Sequence, residues 1–260
     1  MESRSKTLVV KIYVSTQKKE IKMKKFLAMF MVVMFLLVGT AFALNVQVGG
    51  DLDFILKKQV ELKNTGIDAD LSAQYYDITD TIKLGNLTLT PKIGINHGTL
   101  EADVASVGKV EIESGIGWNA GIDAQYDVLQ TKYADLALIG AYRYSRNDID
   151  NIDINGLVID NPIDTTIAIH QYSVGAMVSK DLSEIAGMPI TPYFGVVLSD
   201  LQGDMDANLS VVTLNEEISA KDNVGIRFGI KADPTKDIQA ALGVGLIDET
   251  SVTGKVTLKF

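Results

Sequence analysis

From about residue 44 onward, apolar and polar residues alternate with period two, in segments of roughly ten residues divided by polar or Gly/Pro/Asp turns. The segment GIGWNAGIDAQYDV shows it plainly. Ile116, Trp118, Ala120, Ile122, Ala124 and Tyr126 fall on one face, and Gly117, Asn119, Gly121, Asp123 and Gln125 on the other. The alternation predicts strands near 44–58, 66–78, 86–97, 110–127, 131–146, 165–179, 190–201, 221–232, 238–247 and 250–260. No apolar stretch beyond residue 43 reaches the ~20 residues of a spanning helix. An even set of ten short strands predicts an all-β fold, a closed antiparallel up-and-down transmembrane β-barrel over 44–260. Because 207–213 also reads as a strand extension, eight and twelve strands are the alternatives, and a soluble β-sandwich is the competing architecture for any single segment.

An even count puts both termini on the periplasmic side. Short connections at 127–130 and 233–237 then fall on that side, while 147–164 and 202–220 are predicted as long outer loops. Aromatic residues group in the same way. Tyr75, Tyr76, Tyr126, Tyr133, Tyr193, Phe194 and Phe260 lie near predicted periplasmic strand ends, and Trp118, Tyr142, Tyr144 and Tyr172 toward the outer ends, as two interfacial girdles would require.

The first 43 residues follow a different pattern. Lys24 and Lys25 precede an apolar run from Phe26 to Val38 and the small-x-small triplet Ala41-Phe42-Ala43, the layout of a secretory signal peptide with cleavage before Leu44. Met23 is the expected start, and an uncleaved anchor is the alternative reading. Residues 1–43 hold 8 of the 24 Lys+Arg and 2 of the 33 Asp+Glu, so residues 44–260 carry a net charge of −15, which argues against a nucleic-acid partner. The chain has no cysteine, which excludes disulfide staples and thiol or Cys-zinc chemistry.

With the more apolar face outward, alternation assigns Asp51, Asp53, Asp68, Asp70, Gln74, Lys92, Asn96, Asn119, Asp123, Asp135, Arg143, Arg227, Lys231, Lys255 and Lys259 to the lumen. Both signs are present, so an interior network of ion pairs and waters is expected. A thin water-filled pore is the alternative, because ten strands lie between packed eight-stranded barrels and wide channels of about 16 strands. Two acidic runs offer weak calcium candidates and no cofactor is otherwise expected. Asn151, Asp153 and Asn155 precede Gly156 with EF-hand spacing but lack the first Asp and the bidentate Glu, and Asp204 and Asp206 have the spacing without a glycine. The two histidines, His97 and His170, fall near predicted outer strand ends. Ser173 faces away from His170 by alternation, and neither histidine sits in a hydrolase motif, so the chain is read as a non-enzyme, with a loop-rim hydrolase as the least favoured reading.

The signal-like leader, the alternating strands, the TPYFGVVLS segment from Thr191 and the terminal VTLKF resemble small bacterial outer-membrane β-barrel proteins of the OmpA/OmpX and opacity-protein type. The resemblance implies residence in outer-membrane lipid, and it implies that the barrel-assembly machinery reads the last strand through Phe260. Val252, Gly254, Val256 and Leu258 would then face lipid, with the strand pairing to the first to remove the edge. The functional expectation is a structural or surface-interaction barrel with a mostly filled polar lumen, the alternative a narrow porin-like pore for small solutes.

Overall fold

The computed structural model describes residues 47–105, 107–160, 165–187, 189–208 and 213–259. The leader and Phe260 lie outside the described residues. Thirteen antiparallel strands form one sheet: β1 (Gln47–Leu62), β2 (Ile67–Leu84), β3 (Leu87–Val104), β4 (Gly108–Ser114), β5 (Gly117–Gln130), β6 (Asp135–Ile154), β7 (Leu157–Asp160), β8 (Thr166–Ser179), β9 (Ile190–Asn208), β10 (Thr213–Ala220), β11 (Val224–Thr235), β12 (Ile238–Leu246) and β13 (Thr250–Leu258). A short helix, α1 (Ser183–Ala186), lies in the β8–β9 connection.

The sheet closes because β13 pairs with β1, Val48 opposite Leu258 and Phe54 opposite Val252. Around its middle the ring runs β1, β2, β3, β5, β6, β8, β9, β11, β12, β13, which is ten strands, as alternation predicts. Following directly opposed residues round the wall gives Thr191, Lys231, Ala241, Lys255, Asp51, Asp77, Gly94, Asn119, Ser145, Ile169 and Gly203, so the circuit re-enters β9 twelve residues farther along. Ten strands with that stagger tilt by about 40° and hold opposite backbones roughly 20 Å apart. Long side chains from facing walls meet across such a bore.

Beyond the β12–β13 hairpin the wall changes. There β1 takes β10 as its neighbour, with Val60 opposite Ala220 and Leu62 opposite Ile218. The distal ring is therefore eight strands: β1, β2, β3, β4, β6, β8, β9 and β10. Much of what the sequence suggests as the outer loops 147–164 and 202–220 is strand, continuing β6 to Ile154 and β9 to Asn208 and forming β7 and β10. The residues there still alternate, but their apolar face points inward.

That inversion organises the molecule. In the ten-stranded part the outward side chains are apolar and exposed, including Leu52, Ile122, Leu138, Val174, Val178, Phe194, Val196, Phe228, Leu242 and Val256. In the eight-stranded part the outward side chains are Gln59, Glu61, Asp68, Asp70, Glu101, Asp103, Glu111, Asp204 and Asp206. Inside it, every strand supplies buried apolar groups to one core: Val60, Leu62, Ala69, Leu71, Leu100, Ala102, Ile112, Ile149, Ile152, Ile167, Ile169, Leu201, Met205 and Ile218. A polar-in, apolar-out wall suits lipid; an apolar-in, polar-out wall suits water.

The two regimes meet at irregularities in the pairing. A bulge at Leu56–Lys57 lets Ile55 and Lys58 both face inward. The break at Gly115–Ile116 between β4 and β5 turns Ile116 outward. A shift on β6, where Glu113 opposes Asn151 but Ser114 opposes Ile149, leaves Asp150 as the extra residue. Each slip of one position exchanges the two faces downstream of it. The β6–β7 turn is an Asn-Gly hairpin, with Asn155 at φ 54° and Gly156 at φ 86°.

Candidate functional site

The lumen gathers most of the buried charge. Its centre is Arg143 on β6, whose Nη1 donates to Asp53 Oδ2 on β1 at 2.9 Å and whose Nη2 donates to Asp77 Oδ2 on β2 at 3.0 Å. The guanidinium also lies 4.0 Å from the ring centroid of Tyr75, and Thr253 donates to the other oxygen of Asp53 at 3.3 Å. Because β6 stands four positions round the ring from β1, this side chain crosses the bore. With 6% of its surface exposed, it acts as a bar rather than a lining group.

A second network hangs from the β12–β13 hairpin. Ile247 takes a left-handed φ of 84°, uncommon for a β-branched residue, and the turn sends Asp248 inward. Arg227 holds Asp248 through two bonds of 2.8 and 3.0 Å and reaches Glu249 at 3.0 Å. Ser199 donates to Asp248 at 2.6 Å, and Lys58 donates to Ser199 at 3.3 Å and lies 3.6 Å from Glu249. Gly225 leaves the space that the Asp248 carboxylate occupies. On the opposite wall Asn96 donates to Asn147 at 2.6 Å, and Asn147 donates to the carbonyl of Gly115 at 3.0 Å, fixing the break between β4 and β5.

Toward the terminal end the lumen is looser. Lys92 pairs with Asp123 at 2.7 Å, Lys259 pairs with Asp233 at 2.9 Å, and Lys231 lies 5.6 Å from the Tyr193 ring. Asp51 Oδ1 and Thr79 Oγ1 are buried with no hydrogen-bond partner among the described residues. Gly49, Gly94 and Gly121 put no side chain into this layer. Unpartnered polar atoms beside such space are the signature of a hydrated chamber.

Asp51, Asp53, Asp123, Arg143, Arg227 and Lys231 thus sit on the inward face, and Asp135 lies at the terminal mouth, where it accepts from the Thr131 amide at 3.3 Å. Asp68, Asp70 and Gln74 do not line the lumen. Asp70 points outward to Lys57 at 2.8 Å and Asp68 to Lys221 at 2.7 Å, because β2 has there entered the inverted region, while Gln74 points outward opposite Phe54 and accepts from the Tyr76 hydroxyl at 2.9 Å. The girdle expected from sequence also needs correcting. Tyr75 is buried inside and Tyr193 faces the lumen, so neither meets lipid. Lys58, Tyr75, Asp77, Asn147, Ser199, Asp248 and Glu249 are lumen residues outside the lining predicted from sequence.

The calcium candidates have other partners. Asp153 accepts from the Gly156 amide at 2.6 Å, Asn151 donates to Glu113 at 3.2 Å, and the Asn155 side chain binds the Val107 carbonyl and the Lys109 amide. Asp204 and Asp206 lie on the outward side of β9. On the distal exterior, hydrogen bonding to Glu101 holds the Lys109 ammonium above the usual lysine range, and Asp68 does the same for Lys221. His97 Nδ1 is 2.6 Å from the Ser114 carbonyl, and His170 Nδ1 is 2.9 Å from the Tyr142 hydroxyl.

No family model matches the chain, and no curated protein does. Similar solved structures include the translocator domain of autotransporter NalP from Neisseria meningitidis (10% identity, 91% of this chain and 98% of that one, TM-score 0.44). Others are the outer membrane protease OmpT from Escherichia coli (8%, 82% and 97%, 0.45) and Neisserial surface protein A (15%, 83% and 97%, 0.31). At these identities and scores the likeness assigns no activity. The geometry itself identifies the architecture. This chain is a transmembrane β-barrel of the outer-membrane type. Its apolar exterior band belongs in a bilayer, and closed antiparallel barrels with such a band are structures of the outer membrane.

Proposed function

We propose that the protein is an exported resident of the bacterial outer membrane, with both termini on the periplasmic side, whose barrel is closed to solutes and which acts through its water-exposed distal half. The observation that carries this reading is the double barrier in the bore. Arg143 bridges from β6 to Asp53 and Asp77 on the far wall, and an apolar core contributed by all eight distal strands fills the barrel beyond it. A conducting path needs a continuous polar lining, and the buried Leu and Ile side chains of the distal core interrupt one. The hydrated chamber near the termini then opens on one side only. Assembly through the last strand, which ends beside Phe260, belongs to the same proposal, as does a structural or surface-interaction role in place of catalysis.

Swelling of proteoliposomes in small sugars tests the closed bore. Liposomes carrying the folded barrel are expected to swell no faster than protein-free ones, and sugar-size-dependent swelling would establish the pore reading instead.

A further inference from the structure

On one side of the barrel, aromatic side chains gather where the lipid-facing band ends. Trp118 lies against Tyr144 with ring centroids 5.3 Å apart, Tyr144 against His170 at 4.8 Å, and Tyr142 against Tyr172 at 5.1 Å. The Tyr142 hydroxyl reaches His170 Nδ1 at 2.9 Å, which locks the middle of the cluster. All five project outward from β5, β6 and β8, and Trp118 and Tyr172 are 40% and 44% exposed.

The same strands define the level. Toward the termini the outward residues that follow are small or apolar: Ala120 and Ile122 on β5, Gly140 and Leu138 on β6, and Val174 and Val178 on β8. In the distal direction β6 continues outward with Arg146, Asp148 and Asp150. Arg146 stands directly opposite Trp118 on one side and Ala168 on the other, so its exposed guanidinium sits on the distal rim of the cluster. Lys57, Lys109 and Lys221, also outward in this half, each hold a carboxylate. Arg146 forms no ion pair among the described residues, although Asp148 lies two positions along its own strand and Asp200 faces outward opposite Tyr172.

We propose that Arg146 and this aromatic cluster bind the phosphorylated headgroup of a membrane amphiphile in the leaflet at the distal end. The inference rests on the membrane reading above and adds a specific lipid contact to it. The occupant follows from continuity, because the cluster is the upper edge of the lipid-facing band and a headgroup is what meets the wall there. Charge selects among headgroups. In an acidic collar that repels anions generally, a cation beside the rings that forms no ion pair among the described residues offers a phosphate its partner, and a guanidinium binds phosphate through two parallel N–H bonds. The ring faces take the apolar portion of the headgroup, as interfacial Trp and Tyr do.

Trp118 is the chain's one tryptophan, so it reports on its own neighbourhood. The barrel is placed in zwitterionic phosphatidylcholine nanodiscs that contain a minor fraction of lipid brominated near the headgroup, either phosphatidylglycerol or phosphatidylcholine. The brominated anionic lipid is expected to be enriched at Trp118 about fivefold over the brominated zwitterionic one, the gain of one basic residue near an anionic headgroup. Arg146→Gln should abolish the preference, and Arg146→Lys should keep part of it, with both variants still showing the unboiled gel shift of a folded barrel. Equal quenching by the two lipids in the wild type, or a preference that survives Arg146→Gln, would overturn the site while leaving the membrane reading intact. No quenching by either lipid would overturn both.

Discussion

Replacing Arg143 by alanine is expected to destabilise the barrel by about 3–5 kcal/mol, the cost of removing one member of a buried charge network. Asp53 and Asp77 would lose the guanidinium whose Nη1 and Nη2 now stand 2.9 and 3.0 Å from them, inside a bore that replaces it with nothing. Tyr75 would lose the cation over its ring as well. The midpoint of urea unfolding in micelles, followed by the boiled and unboiled gel shift, measures the loss. Arg143→Met combined with Asp53→Asn and Asp77→Asn should recover most of it, since matched neutral groups leave no orphaned charge. The Arg143→Ala barrel should still exclude sugars in the swelling assay, because the distal core is untouched. A stability change below about 1 kcal/mol would mean that water already carries those charges, as it does at exposed pairs.

The second large effect is expected at Leu201. This side chain is fully buried in the distal core, among groups from all eight strands. Leu201→Ala should cost about 2–5 kcal/mol, the range for emptying a packed site. Leu201→Asp should cost at least as much, because it places a carboxylate among the apolar side chains of the distal core. The neighbouring outward substitution Gln202→Asp should change stability by no more than about 0.5 kcal/mol. If Leu201→Asp were tolerated like Gln202→Asp, the distal interior would be wet, and the seal inferred from it would fail.

How much of this could be read from sequence follows from where the period of two is kept and where it slips. On β3, β8 and β9 alternation runs unbroken, so Lys92, Asn96 and the lipid-facing Val174 and Val196 fall where a simple count puts them. On β1 the adjacent lysines Lys57 and Lys58 offer no local reason for one to face out and the other in; the bulge decides, and it depends on two neighbouring strands. Segments of about ten residues are the length that crosses lipid. A search for them stops near Arg146 and Leu201, although β6 and β9 continue to Ile154 and Asn208. Past that level the apolar face is the inner one, so a rule that sends apolar residues outward misplaces Asp68 and Asp70. The Asp248–Glu249 pair looks like an ordinary polar turn, and only the inward twist at Ile247 brings it to Arg227. The candidate site was legible as a set of lumen charges, but its connectivity spans strands far apart in the chain.

The central claim is that one barrel wall changes solvent along its length, lipid outside the ten-stranded part and water outside the eight-stranded part. Because the chain has no cysteine, single cysteines report on this cleanly. Asp70→Cys and Asp204→Cys mark the distal exterior, and Leu138→Cys and Val196→Cys mark the band, all four on the outward face. In lipid nanodiscs, a membrane-impermeant maleimide should label the two distal positions rapidly and leave the two band positions unmodified until the lipid is replaced by denaturant. Protection of Asp70→Cys and Asp204→Cys, or rapid labelling of Leu138→Cys and Val196→Cys, would contradict the account.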